Sequence, residues 1–370
     1  MLTGLIAVFY KHFLKRIFFL FDPEFVHNRI SLFGNILGSY PPARFLVGKL
    51  FRYENKMLEQ KLAGLVFKNP VGLSAGFDKN ARLLKILAPV GFGFAEIGSV
   101  TFEPYAGNPK PRLFRLPKSK GLVVYYGLMN EGVSKIARRI KKTFRKDFVL
   151  GISIAKTNCQ RTAAQEAGIE DYFECARYLE KEQIGDYYTL NISCPNTFGG
   201  EPFTTRESLD ALLNRIAKLK IKKAVFVKMP INLKLVEFDE LLQVIIKHKI
   251  DGVIIGNLTK VRDPKLIKDF IPDNVKGGIS GLPTQKLSNE LISYTHRKYG
   301  KKLVIIGVGG IFNARDAYEK FRRGASLVQL ITGMIYEGPQ LIGKINKELV
   351  QMLERDGYKN IAEAIGVANG

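Results

Sequence analysis

The chain contains 370 residues, of which 46% are hydrophobic and 25% are charged, and it carries a formal net charge of +23 at pH 7. This globular composition, without a low-complexity tract, excludes a disordered chain and allows one large α/β domain or two smaller ones. The positive charge predicts an anionic partner, which could be a nucleic acid, a membrane surface or a small molecule. Because lysine and arginine are scattered along the whole chain, a general electrostatic attraction is favoured over a nucleic-acid-binding arm.

Cysteine and histidine give no sign of a metal site. The three cysteines, Cys159, Cys175 and Cys194, form no CxxC pair and have no metal-ligand spacing. The four histidines are dispersed, at His12, His27, His248 and His296. No metal site is therefore predicted. So few cysteines, without a cleavable signal, predict a reducing, cytosolic compartment.

The first 24 residues are strongly apolar, with basic side chains in their middle. The basic residues are Lys11, His12, Lys15 and Arg16, and bulky residues follow them at 17–21. No uninterrupted apolar run reaches the roughly 20 residues needed to span a bilayer, and a signal peptide would place its charges first. The pattern predicts a helix lying in a membrane interface with its basic side chains in water. A helix packed on the main domain is the alternative.

A second helix is predicted to begin at Asp22. Asp22 is a favourable N-cap residue, and Pro23 is tolerated at the first helical position. Apolar residues then recur at helical spacing until Pro41-Pro42, which is predicted to end this region.

From about residue 62 onward, short apolar runs alternate with segments of helical period. The predicted strands are Val71–Leu73, Phe94–Gly98, Val149–Ile154, Tyr187–Ile192, Ala224–Met229, Gly252–Ile255, Leu303–Gly307 and Ser326–Leu330. The predicted helices include Ser208–Leu219, Phe238–Lys247, Ser288–Tyr299 and Ala314–Arg322. About eight βα units in roughly 300 residues predict an α/β fold, a closed (β/α)8 TIM barrel over residues 61–370 with an N-terminal helical extension over residues 1–60. A doubly wound open sheet is the alternative, and residues 101–132 are predicted to form an antiparallel hairpin over one barrel mouth.

Polar residues and glycines follow the predicted strands at their C-terminal ends, where (β/α)8 barrels carry their sites. Asn191 and Cys194 follow the fourth strand, and Asn257 follows the sixth. The other strand ends supply Ser74–Lys79, Gly98-Ser99, Ser153 and Lys156, and Gly277–Gly281 follows Asn257 along the chain. Lys228 lies inside the apolar fifth strand, where a buried ammonium needs a bound anion, a polar acceptor or a structural salt bridge.

Glycine turns at residues 307–310 and 332–333 would allow backbone N–H groups to approach a phosphate. Many βα turns are rich in glycine, so these turns alone are weak evidence. Together with Lys228 and the amide side chains on the same barrel face, they predict a phosphate-bearing aromatic cofactor.

Six motifs together resemble the dihydroorotate dehydrogenase family. They are SAGFDKN at 74–80, GNPKPRLFRL at 107–116, NISCPN at 191–196, GGISG at 277–281, IIGVGGI at 305–311 and GASLVQL at 324–330. The resemblance begins at about residue 22, and LFDPEFVH at 20–27 is similar to the membrane-associated, quinone-using class. It implies that residues 1–60 contact the membrane and admit quinone, and that residues 61–370 form an FMN-binding catalytic barrel. The protein is then expected to be peripheral, on the cytoplasmic side of the membrane.

The resemblance implies oxidation of (S)-dihydroorotate to orotate in pyrimidine biosynthesis, with FMN as cofactor and quinone as electron acceptor. The residues implied to bind FMN are Ala75, Gly76, Lys79, Ser99, Ser153, Asn191, Lys228, Gly256, Gly281, Gly309, Gly310, Ile331 and Thr332. The residues implied to bind the substrate are Lys79, Gly127, Leu128, Asn191, Asn196 and Asn257. Cys194 stands at the position of the catalytic base. The implied partners are dihydroorotate, orotate, a membrane quinone and an anionic membrane surface, with no nucleic acid.

Some residues depart from the family pattern. Cys194 stands where the quinone-using class has serine, and a thiol with a pKa of about 8.5 is a poor base unless its surroundings lower that pKa. Val124 replaces an asparagine and Leu258 a threonine at substrate-contacting positions. Ser153 and Gly256 replace an asparagine and a threonine near the cofactor. The motifs implied to bind the cofactor therefore match the family pattern more closely than those implied to bind the substrate.

Three other functions stay open, one of which is a non-enzymatic adaptor for a membrane or a nucleic acid. Val124 and Leu258 favour a related flavin barrel that acts on another small cyclic amide. The net charge, and a cysteine that precedes a proline, are also typical of a tRNA-modifying barrel of the dihydrouridine synthase kind. Against the latter, the chain after about residue 338 is too short for a helical RNA-binding domain.

Overall fold

The computed structural model describes residues 2–143, 147–200 and 202–370. The helices are α1 (Leu2–Phe9), α2 (Lys15–Leu20), α3 (Pro23–Ser39), α4 (Pro41–Phe51), α5 (Leu84–Val90), α6 (Val133–Thr143), α7 (Gln165–Lys181), α8 (Arg206–Ala217), α9 (Leu235–Lys247), α10 (Gln285–Tyr299), α11 (Ala314–Arg322), α12 (Thr332–Glu337) and α13 (Leu341–Arg355). The strands are β1 (Gln60–Leu62), β2 (Leu65–Phe67), β3 (Val71–Leu73), β4 (Phe94–Val100), β5 (Leu113–Leu116), β6 (Gly121–Val124), β7 (Val149–Ile154), β8 (Tyr187–Asn191), β9 (Ala224–Met229), β10 (Gly252–Ile255), β11 (Gly278–Gly281), β12 (Val304–Val308) and β13 (Leu327–Leu330).

Eight parallel strands close into a barrel. Their order around it is β3, β4, β7, β8, β9, β10, β12 and β13, and β13 pairs with β3 to complete the ring. All eight predicted strands are present, with ends that differ from the predicted ends by at most two residues. The predicted (β/α)8 barrel is therefore confirmed, and the open sheet is excluded.

An aromatic layer fills the N-terminal end of the barrel. The rings of Phe67 and Phe94 lie 5.2 Å apart, and those of Tyr187 and Phe226 lie 5.3 Å apart. A Cβ atom on Gly72 would lie 2.4 Å from the Phe94 ring, so only glycine fits there. Because Phe67 belongs to the β1–β2 hairpin, this hairpin closes the bottom and leaves the opposite end as the mouth.

The N-terminal extension consists of α1 to α4. A π-helical turn at Tyr10–Leu14 joins α1 to α2. Asp22 caps α3, because the Phe25 N–H donates to Asp22 Oδ1 at 2.8 Å, and Pro23 is the first helical residue, as predicted. Helix α3 ends at Ser39, directly before Pro41-Pro42, as predicted, but a further helix, which was not predicted, follows. These prolines begin α4, since the first turn of a helix does not need their missing N–H groups.

Large apolar side chains are exposed along this extension. They are Leu5, Val8, Phe9, Phe13, Ile17, Leu20, Phe21, Phe25, Ile30, Leu32, Phe33, Ile36, Tyr40, Phe45 and Leu46. Within the described part of the chain, no helix is both long enough and apolar enough to cross a bilayer. An apolar surface of this extent is typical of a site of association rather than of ordinary solvent-exposed surface.

A three-stranded antiparallel sheet lies at the mouth. Strands β5 and β6 form the predicted hairpin, and β11 pairs with β6, so that Gly278 lies opposite Val124. Strand β11 was not among the predicted strands, because its two glycines weaken the local signal and only the pairing with β6 orders it.

A lysine is fully buried between α10 and α11. Lys320 Nζ donates to Ser288 Oγ at 2.9 Å and to Asn289 Oδ1 at 2.8 Å. Burial lowers the pKa of Lys320 to about 7, because desolvation disfavours the charged form.

We expect Lys320 to make folding stability depend on pH. Its ordinary pKa in an unfolded chain is about 10.4, so between pH 7 and 10 the unfolded state binds more protons, and the contribution of Lys320 to the free energy of unfolding rises with pH. The free energy of unfolding of wild type minus that of Lys320→Met, both measured by urea unfolding, should rise by roughly 1–2 kcal/mol from pH 7 to pH 9. Lys286→Met, which alters an exposed lysine of α10, is the control. A difference that stays flat or falls with pH would contradict this origin.

Candidate active site

Hydroxyl and amide side chains from neighbouring strand ends form one connected network. The Oγ atoms of Ser99 and Ser153 lie 2.8 Å apart, and Asn191 Nδ2 donates to Ser99 Oγ at 2.8 Å. Ser193 Oγ donates to Asn191 Oδ1 at 3.1 Å, and Asn257 Nδ2 donates to the Ser193 carbonyl at 2.8 Å. The structure thus brings together Ser99, Ser153, Asn191 and Asn257, which the sequence predicted to share one barrel face.

Lys228 lies beside this network, because it is in register with Asn191 on the neighbouring strand. Its side chain is buried, and Nζ donates to Ser74 Oγ, beyond the end of β3, at 3.3 Å. Burial lowers the pKa of Lys228, whereas the electrostatic attraction of the buried Glu96 opposes that change. Within the described residues, Lys228 and Glu96 form no ion pair at contact distance. The structural salt bridge that the sequence allowed for Lys228 is therefore not found among the residues that the structure describes.

Lys79 is a second buried ammonium at the mouth. Its Nζ lies 3.7 Å from the centroid of the Tyr126 ring, a cation–π contact that partly replaces lost hydration. Burial lowers the pKa of Lys79 to about 8, while the charges of Glu24 and Asp78 oppose the change. Two lysines at one mouth create a site suited to an anion.

Glycines surround one side of the mouth at positions where no side chain fits. A Cβ atom on Gly281 would lie 2.3 Å from the Lys120 carbonyl oxygen, and one on Gly310 would lie 2.3 Å from Gln285 Cβ. Ser280 Oγ lies 2.9 Å from Thr332 Oγ1. The other predicted cofactor positions on this face are Ala75, Gly76, Gly256, Gly309 and Ile331. The crowding leaves bare backbone beside the mouth, where N–H groups are able to approach a ligand.

A loop at residues 194–200, the Cys194 loop, lies over the mouth and is held by the hairpin. Asn196 Nδ2 donates to the Val124 carbonyl at 2.8 Å, and Asn108 Nδ2 donates to the Asn196 carbonyl at 3.0 Å. The Asn158 side chain donates to the Gly127 carbonyl at 3.0 Å. The Asn196 amide, predicted to bind substrate, is therefore already engaged by the backbone at Val124.

Sequence reasoning did not identify Asn108 and Asn158 as part of the site. Asn108 lies within the GNPKPRLFRL motif, and this motif was the sequence signal that could have identified it as a site residue. Asn158 lies two residues after Lys156, beyond the end of β7, and its partners are distant in the chain. Together these asparagines also line a cavity of about 340 Å³ against the Cys194 loop.

Gly127 and Leu128, which are predicted to bind substrate, lie in a sharp turn. Gly127 and Leu128 follow one another with positive φ angles of 64° and 67°, so the backbone turns sharply beside the mouth. A Cβ atom on Gly278 would lie 2.6 Å from Leu258 Cβ, so Leu258 packs directly against β11. Leu258 and Val124 thus present an apolar surface where β6 and β11 meet the Cys194 loop.

The helical extension contacts the same end of the barrel. Arg112 Nη1 lies 3.2 Å from Glu24 Oε1 in a largely buried ion pair, and Arg112 Nε donates to the Asn108 carbonyl at 2.5 Å. The His27 ring meets the Phe77 ring edge-on at 4.9 Å. Burial lowers the pKa of His27 to about 3, so the imidazole is neutral at pH 7. Among the described residues, no group of three or more metal-ligating side chains is arranged to hold a metal ion.

Fold and site together define a (β/α)8-barrel protein with two buried lysines at its mouth, which is contacted on one side by a helical extension. The family model for dihydroorotate dehydrogenase matches residues 57–353, so the chain belongs to the dihydroorotate dehydrogenase family. Members of this family generally use a flavin. The predicted family and its quinone-using class are confirmed by relatives that match along most of the chain.

Two such relatives carry the name dihydroorotate dehydrogenase (quinone). The protein from Trichodesmium erythraeum is 36% identical over 364 residues, covering 94% of this chain and 95% of its own. That from Rhizobium rhizogenes is 38% identical over 359 residues, covering 94% of each. A crystal structure of DHODH from Eimeria tenella in complex with ferulenol is similar in fold, with a TM-score of 0.81 and 28% identity, covering 94% of this chain and 95% of that one.

We expect the Glu24–Arg112 pair to stabilise the docked extension. Glu24→Gln leaves a largely buried guanidinium without its counter-charge, and should lower the free energy of unfolding by roughly 1–3 kcal/mol. Glu54→Gln, which removes an exposed ion pair with Arg52, should cost at most about 1 kcal/mol. Urea unfolding of both variants measures the difference. Equal losses would show that Glu24 contributes no more than a surface charge.

Proposed function

We propose that this protein is a peripheral membrane enzyme that oxidises (S)-dihydroorotate to orotate with FMN as cofactor and quinone as final electron acceptor. The observation that carries the proposal is the meeting of the Ser99–Asn191–Asn257 network with the buried ammonium groups of Lys79 and Lys228 at one barrel mouth. Membership of the dihydroorotate dehydrogenase family supports the same reaction.

The residues at the mouth fit FMN. Crowding around Gly281 and Gly310 exposes backbone beside Thr332, as a phosphate requires, and Lys228 is suited to the electron-rich edge of a flavin ring. The residues proposed to hold FMN are Ala75, Gly76, Lys79, Ser99, Ser153, Asn191, Lys228, Gly256, Gly281, Gly309, Gly310, Ile331 and Thr332. When bound, FMN supplies the acceptor for the hydride that leaves the substrate.

The chain's own residues would bind and deprotonate the substrate. Lys79 is suited to the substrate carboxylate, and amides such as Asn191 and Asn257 are suited to its imide oxygens and N–H groups. The full proposed set is Lys79, Gly127, Leu128, Asn191, Asn196 and Asn257. Cys194, half-buried on the Cys194 loop, is the proposed base that removes the C5 proton.

The extension is the proposed site of membrane and quinone contact. We infer that residues 1–60 provide this contact and residues 61–370 the catalysis, at the cytoplasmic face of the membrane. The exposed apolar side chains of α1 to α4 support insertion into an interface, and the net charge of +23 supports attraction to anionic lipid.

A second candidate substrate is another small cyclic amide. The apolar side chains of Val124 and Leu258, and the use of the Asn196 amide by the Val124 carbonyl, favour it. Under this alternative the purified protein would be yellow but would keep its colour on anaerobic addition of dihydroorotate.

We expect anaerobic dihydroorotate to bleach the yellow wild-type protein, and Cys194→Ala to keep its flavin but to be reduced at least about 100-fold more slowly, since a positioned base contributes about 10²–10⁴-fold. Stopped-flow absorbance at the flavin band gives both rates. Cys175→Ala, at a buried cysteine of α7, is the control for loss of a thiol. Equal reduction rates in wild type and Cys194→Ala would remove Cys194 from the role of base.

We expect Phe33→Asp to weaken binding to vesicles of anionic phospholipid by roughly tenfold or more, because inserting a large apolar side chain contributes about 1.5–3 kcal/mol. Phe33 is 57% exposed on α3. Val66→Asp is the matched control, since Val66 is 59% exposed on the hairpin at the other end of the barrel. Cosedimentation measures both, and equal effects of the two changes would contradict membrane contact through α3.

A further inference from the structure

Lys156 is a buried lysine that touches the Cys194 loop. It follows β7, and its side chain is only 2% exposed. Its Nζ donates to the Phe198 carbonyl at 2.8 Å, and the Phe198 N–H donates to Asn158 Oδ1 at 2.6 Å. Lys156 and Asn158, which both follow β7, thus hold the loop that carries Cys194.

Opposite charge faces Cys194 from two elements. Lys156 Nζ binds the Cys194 loop at the Phe198 carbonyl, and Lys228 on β9 lies in register with Asn191, three residues before Cys194, so both ammonium groups lie near the Cys194 side chain. Tyr172 of α7 also faces Cys194, but its hydroxyl donates to the Asn191 carbonyl at 2.6 Å, and burial raises its pKa far above neutrality. The tyrosine therefore stays neutral, and the two lysines provide the cationic surroundings.

Among the residues that the structure describes, Cys159 and Asp171 are the other titratable groups near Lys156. Asp171 Oδ1 accepts from the Thr157 N–H at 2.7 Å, and Asp171 Oδ2 lies 3.6 Å from Arg161 Nη2. Asp171 thus has partners other than Lys156. Burial lowers the pKa of Lys156, and the nearby Cys159, Asp171 and Cys194 oppose that change.

We propose that Lys156 is a positioning residue that holds the Cys194 loop and stabilises the Cys194 thiolate, so that a cysteine serves as base near neutral pH. An ammonium close to a thiol favours its ionised form, as in other reactive cysteines. In the proton transfer, the C5–H bond breaks, an S–H bond forms at Cys194, and the electron pair stays on the substrate. The inference rests on the proposed function only in assigning that proton to Cys194.

The test measures ionisation of Cys194 directly, in the flavin-loaded protein without substrate. The rate of alkylation of Cys194 by iodoacetamide is followed from pH 5 to pH 10 by peptide mass spectrometry, which separates Cys194 from Cys159. Lys156→Gln should raise the midpoint pH of this rate by about one unit or more, whereas Lys156→Arg should largely keep it. Lys260→Gln changes an exposed lysine that lines the cavity of about 340 Å³ beside the Cys194 loop. It is the control, and it should change the midpoint pH little.

Coincident curves for wild type and Lys156→Gln would overturn the proposal. If Lys156→Gln raised the alkylation rate of Cys194 by the same factor at every pH, the proposal would also be overturned, because Lys156 would then only restrain the loop. If Lys156→Gln fails to fold, the wild-type curve still decides: a midpoint at or above about 8.5, the value of an unperturbed cysteine, overturns the proposal. Failure of dihydroorotate to bleach the wild-type flavin would instead overturn the proposed function. It would not affect the conclusion from alkylation about the ionisation of Cys194.

Discussion

Buried ammonium groups at the barrel mouth are the constraint on which the rest of the site depends. Removing a lysine from water costs several kcal/mol unless polar or charged groups compensate. Lys228 is compensated by Ser74 and, at longer range, by Glu96, and Lys79 by the face of Tyr126. None of these contacts replaces full hydration, so the two ammonium groups remain available at the mouth to a phosphate or a carboxylate.

The Cys194 loop shows how a segment without regular secondary structure is held in place over such a mouth. Lys156 and Asn158, which follow β7, and Asn108, which precedes β5, bind the backbone of this loop. Val124 takes part through its carbonyl, which accepts from Asn196. The valine therefore keeps a polar contact to the loop although its side chain has lost the hydrogen bonds of an asparagine.

The helical extension combines an apolar outer surface with polar anchors beneath it. Glu24 pairs with Arg112, which also binds the Asn108 carbonyl beside the Cys194 loop. The Tyr10 hydroxyl donates to the Ile335 carbonyl at 2.7 Å, and Arg115 donates to the Phe21 carbonyl at 2.7 Å. These contacts fix the orientation of the helices, so that their exposed face and the barrel mouth belong to one connected structure.

The sequence by itself determined the eight strands, most of the helices between them and the start of α3 at Asp22, because hydrophobic periodicity and capping are local properties. Its motifs also identified the family and predicted one shared face for Ser99, Asn191 and Asn257. Only the tertiary structure decided that β11 joins the hairpin and that Lys156 meets the Cys194 loop. Such contacts join segments far apart in the chain and depend on how the closed barrel brings strand ends together, which no local pattern encodes.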